Sequence, residues 1–184
     1  MLVVQVYGPH AGILYGRHEL LDTLPFPKLA PAPDRAPERV ETGTQNHEGI
    51  AGIAATIDFL ASLSGQNGGT RRERLARSYA DLHDAGLRLT RMLWDGLSAI
   101  PRVRIYGPPP DERRTPTVSF TVEGMDSDDV SRRLAEQAIF ASSGDFYATT
   151  VCERFGVASL LCVGCGCYTT DEEVQRLIDA VAAL

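Results

Sequence analysis

The chain has 184 residues and is 43% hydrophobic, enough for one domain of ordinary size or a small domain with part of another. With 24 acidic against 18 basic residues and a net charge of −6, it lacks the positive field that nucleic acid or an anionic membrane surface requires. The apolar start from Met1 to Tyr7 has no basic leader and meets Gly8-Pro9, so neither a signal peptide nor a membrane span is expected and the protein reads as cytoplasmic.

Met1 to Tyr7 contains an apolar, β-branched run of strand type over 2–7, and Gly8-Pro9-His10-Ala11-Gly12 is a turn. Ile13-Leu14-Tyr15 reads as a second short strand closed by Gly16. The five prolines between residues 25 and 37 predict an extended surface loop, which holds Lys28. A helix follows Gly43-Thr44-Gln45-Asn46, with Asn46 as N-cap and Ile50, Ile53, Ile57 and Leu60 at helical spacing. The glycine-rich stretch from Ser64 to Gly69 ends it and marks a domain boundary, placed between residues 66 and 67.

Thr70 and Glu73 form a capping box for a long helix with the stripe Leu75, Tyr79, Leu82, Leu89, Leu93 and Leu97, stopped by Pro101. Its arginines Arg71, Arg72, Arg74 and Arg77 are interleaved with acids and read as a solvated face. Val103–Tyr106 and Thr117–Val122 are predicted strands, the second with Val118, Phe120 and Val122 on one face. Asp126 or Ser127 caps a helix carrying Val130, Leu134 and Ala138. A short strand at Ile139–Ala141, a turn at Gly144, a short helix near 148–155 and a last strand at Leu160–Val163 follow. Thr170 and Glu173 form a second capping box, with Val174, Leu177, Ile178 and Val181 as the buried stripe of the final helix. The second part is therefore expected to be an α+β unit with a small antiparallel sheet and helices on one side. Residues 1–66 carry too few elements for a core of their own and resemble the end of a larger α/β domain.

Three places could carry chemistry. Gly43-Thr44 stands at a helix start, where free N–H groups and a hydroxyl favour an anion, though from spacing alone simple capping is the better reading. His10 sits in a tight turn between apolar runs, as a structural hydrogen bonder or a binding residue. Cys162, Cys165 and Cys167 have the density of a thiolate metal site, but Cys152 is the only other thiol and no second zinc-type pair exists. Seventeen of the 18 basic residues are arginine, so any lysine chemistry must use Lys28 or come from another chain.

Together these segments resemble class V aminotransferases, most closely the cysteine desulfurase-like branch. The resemblance runs in order through Tyr7-Gly8-Pro9-His10-Ala11-Gly12-Ile13-Leu14-Tyr15-Gly16-Arg17, then Arg39 to Gly49 around Gly43-Thr44, then Thr115 to Phe120, Gly144 to Ala148, and Tyr168 to Leu177. It implies the fold of the C-terminal half of such an enzyme. Residues 1–66 would be the remnant of a fold-type-I large domain that binds pyridoxal phosphate (PLP), and 67–184 the small α+β domain. It also implies a homodimer or a partner supplying the N-terminal half, an amino-acid substrate, and PLP as the electron sink.

Residue by residue, the resemblance places the cofactor lysine at Gln5, where an amide cannot make the covalent link. The arginine for the substrate carboxylate falls at Cys162, where a thiol cannot make a bidentate pair. Gly43 and Thr44 fall at the turn that meets the cofactor phosphate, and His10 near the substrate. Tyr147 stands about where desulfurases carry a persulfide cysteine. The chain is therefore expected to be a fragment, a split subunit or an inactive copy. The alternatives are a non-catalytic dimerisation module and, further off, a thiolate metal binder.

Overall fold

The computed structural model describes residues 7–41, 43–112 and 114–184. The expected strand over 2–7 and Gln5 lie outside the described residues, apart from Tyr7 at its end. By its contacts the chain divides into two compact units, Met1–Ser78 and Tyr79–Leu184.

The first unit holds two helices, α1 (His18–Thr23) and α2 (His47–Ser62), a 3-10 turn at Glu38–Val40, and the start of α3 (Arg71–Ser98). As expected, Asn46 caps α2, its side chain accepting from Gly49 N–H at 2.9 Å. Thr70 caps α3: Glu73 N–H donates to its hydroxyl while its own N–H donates to the Glu73 carboxylate. Two expectations are corrected. Ile13-Leu14-Tyr15 is not a strand; the bridge in this stretch falls on Gly12 just before it. The helix α1 was not anticipated. Its N-terminal flank has no side-chain cap, so only its own short backbone ladder marks it.

The second unit is built on a four-stranded antiparallel sheet of order β1-β2-β4-β3, comprising β1 (Val103–Tyr106), β2 (Thr117–Val122), β3 (Ser142–Gly144) and β4 (Leu160–Gly164). The alternation of β2 buries Val118, Phe120 and Val122 on one face. These pack on Leu89, Leu93 and Leu97 of α3, on Val130 and Leu134 of α4 (Ser127–Ala135), and on Val174, Leu177, Ile178 and Val181 of α6 (Asp171–Ala182). Asp126 caps α4, and Thr170 with Glu173 makes the expected capping box of α6. The third strand runs over 142–144 instead of 139–141. Ala138 lies beyond α4 with φ +56°, and the chain needs the intervening residues to turn before β3 can pair with β4. One more helix, α5 (Thr149–Phe155), supplies Cys152 to a small cluster with Tyr106 and Leu160.

Candidate cofactor and substrate site

The turn carrying His10 rests on α2. Pro9 approaches so closely that a Cβ on Gly52 would lie 3.0 Å from the proline Cγ, so a side chain larger than hydrogen there would push the turn away. His10 itself is exposed at the tip of this turn.

Lys28 lies in the proline-rich loop with its side chain only 24% exposed. Its Nζ donates to the Ala32 carbonyl at 2.9 Å and pairs with Asp34 at 3.0 Å. The same segment is clasped at its base. Asp22 accepts from Ala36 N–H at 2.6 Å, and the Arg39 guanidinium donates to the carbonyls of Asp22 and Leu24. The amine is thus a strut of the loop, held by a carbonyl and a carboxylate.

Gly43 has φ +73°, a left-handed conformation that glycine adopts at no steric cost, and with Thr44 it turns the chain into α2. Both residues are exposed, and Gly43 borders a cleft of about 540 Å³ shared with Leu29, Pro31, Glu38, Glu41 and Gln45.

Cys162 lies in the second unit. The strand register sets Tyr106 opposite Ser119, Ser119 opposite Cys162, and Cys162 opposite Ser142. Directly opposed residues share a face, so these four form one row across the sheet, on the side away from Phe120 and Leu161. Cys162 is half-buried there between two serines. Cys165, by contrast, packs against the helix-covered core, and burial pushes its thiol above the ordinary range. Cys152 is 3% exposed. The thiols therefore do not converge: among the described residues no group of three or more His, Cys, Asp or Glu side chains could hold a metal ion.

One feature escaped the reading of the sequence. Phe146 and Tyr147 both take left-handed backbone conformations, φ +52° and +58°, and Tyr147 is fully exposed. Such conformations cost a bulky residue about 1–3 kcal/mol each. Asp145 braces the turn, accepting from Tyr147 N–H at 3.1 Å and from the Thr149 hydroxyl at 3.0 Å. A Phe-Tyr pair carries none of the Gly or Asn signals by which such a turn is read.

A glycine turn at a helix start, followed by a small antiparallel sheet backed by three helices, is the arrangement of a PLP-transferase C-terminal half. The chain belongs to the class V aminotransferase family, whose profile matches residues 6–177. Among curated proteins it is similar to a probable cysteine desulfurase of Pseudomonas putida, 31% identical over 96% of this chain and 43% of the relative. A probable cysteine desulfurase of Streptomyces coelicolor is 31% identical over 92% of this chain and 40% of the relative. Among solved structures, the apo cysteine desulfurase of Thermococcus onnurineus superposes with a TM-score of 0.79 at 25% identity, covering 97% of this chain and 44% of that one. The chain thus spans less than half the length of the relatives it matches.

The one lysine of the chain does not fit a covalent link to PLP, its amine being tied to Ala32 and Asp34. In the second unit, the Cys162–Ser119–Ser142 row contains no lysine or arginine.

Proposed function

We propose that this chain is the C-terminal part of a PLP-dependent cysteine desulfurase-like protein acting on amino acids, and that alone it is a fragment, a split subunit or an inactive copy. In this reading residues 1–66 are the remnant of the large domain and 67–184 the small domain. Gln5 replaces the cofactor lysine and Cys162 the carboxylate arginine, His10 stands near the substrate, and Gly43 and Thr44 keep the place of the phosphate turn. PLP is not held covalently by this chain.

The observation that carries the proposal is the apolar surface of the first unit. There Ala36, Thr56, Leu60 and Ala61 are buried, whereas Leu14 and Tyr15 are 73% and 88% exposed and Leu20, Leu24, Leu29 and Phe59 are exposed with them. Apolar surface of this kind is covered by another chain in a stable assembly. That supports a homodimer or a partner carrying the N-terminal half, and equally a dimerisation module that has lost its chemistry.

The experiment is to incubate the purified chain with PLP, reduce with borohydride, and map pyridoxyl-lysine by mass spectrometry. The expected result is at most slow, non-saturable labelling of Lys28, and no sulfide or alanine released from cysteine. Stoichiometric, saturable labelling with release of either product would overturn the proposal. Co-expression with the N-terminal half of a relative separates the two assemblies: non-covalently bound PLP retained by the complex marks a split subunit, and a stable complex without PLP marks the module.

A further inference from the structure

We infer that the Gly43–Thr44 turn of this chain does not hold a phosphate group, although it keeps the position of a phosphate turn; only the choice of ligand rests on the proposed function. An anion at a helix start needs unshared N–H donors, a positive end, and neighbours that do not repel it. Three N–H groups at the start of α2 already have acceptors. His47 N–H donates to the Gln45 carbonyl at 3.0 Å, Gly49 N–H to the Asn46 side chain at 2.9 Å, and Ile50 N–H to the Asn46 carbonyl at 2.9 Å.

The charges beside the turn have the wrong sign. Glu38 and Glu41 line the cleft that Gly43 borders, and Glu48 stands in the first turn of the helix. Among the described residues no lysine or arginine lines that cleft. Of the basic side chains in the loop before the turn, Arg39 is committed to the carbonyls of Asp22 and Leu24 and Lys28 to Ala32 and Asp34, while Arg35 is not among the residues that line the cleft. Thr42 is uncharged and leaves this balance as it is. A phosphate dianion entering the cleft would meet the carboxylates of Glu38 and Glu41, with no lysine or arginine among the described lining residues to neutralise it.

The test is calorimetric titration of the intact chain with inorganic phosphate and with pyridoxine 5′-phosphate, which has no aldehyde for an amine to trap. The wild-type chain should show no saturable binding up to about 10 mM of either, and E38Q/E41Q, at two exposed positions, should gain affinity by about tenfold or more. If neither protein binds, the inference stands and the carboxylates alone are not the cause. Wild-type binding unchanged by Thr44→Val would place the anion elsewhere and also leave the inference standing. Saturable wild-type binding that Thr44→Val weakens about tenfold would overturn it, without touching the family assignment or the lysine experiment.

Discussion

Replacing Phe120 by alanine should remove most of the stability of the second unit, whereas replacing its neighbour Ser119 should barely register. Phe120 is fully buried, opposed by Ile105 on one side and Leu161 on the other, beneath the helices of the core. A phenylalanine buries about 150–250 Å². At about 25 cal/mol per Å² this is worth about 4–6 kcal/mol, of which alanine keeps a small share while a cavity term is added. The expected loss is about 3–5 kcal/mol, a large part of the about 5–15 kcal/mol that holds a domain folded. With a denaturant slope of about 2 kcal/mol per molar urea, the midpoint should fall by about 2 M. Ser119 lies on the opposite face in the row with Cys162, and its truncation should cost under about 1 kcal/mol. Trp94, the single tryptophan, lies in the stretch of α3 that belongs to the second unit and reports its unfolding by fluorescence in urea. A loss under about 1 kcal/mol for Phe120→Ala, or a larger loss for Ser119→Ala, would invert the faces of the sheet and with them the position assigned to Cys162.

Two further outcomes follow from the ionisable groups. The Glu73 carboxyl is held below its usual range by the Thr70 backbone N–H first and the Thr70 hydroxyl second. Its contribution to stability is therefore complete above the ordinary carboxylate pKa and is lost as pH falls through the lower folded value. The melting temperature of Glu73→Gln should accordingly fall less between pH 7 and about pH 3 than that of the wild type, and parallel curves would refute the cap's role. Burial raises the Cys165 thiol, so its alkylation by iodoacetamide, followed by peptide mass spectrometry, should switch on only above the ordinary thiol range; a midpoint within or below that range would contradict its placement against the core.

Where order is local, the sequence determined it. The capping boxes at Thr70 and Glu73 and at Thr170 and Glu173 need residues only three apart, and both are formed. The apolar alternation of β2 and the stripe of α6 placed Val118, Phe120, Val122, Val174 and Leu177 in the core, because each periodicity has one solution for a buried face. The family was equally legible, carried by short motifs in fixed order. What depends on a distant partner was not legible. Ser142-Ser143-Gly144 has no strand propensity and is a strand because β4 pairs with it, while Ile13-Leu14-Tyr15 has that propensity and is not a strand. The face that Cys162 presents is fixed by cross-strand register, since a slip of one residue would turn the thiol into the core. The commitment of Lys28 to Asp34, and the carboxylates of Glu38 and Glu41 beside Gly43, exist only once the proline-rich loop has folded. A sequence names the charges, but their distances, on which electrostatic energy depends, are properties of the folded chain.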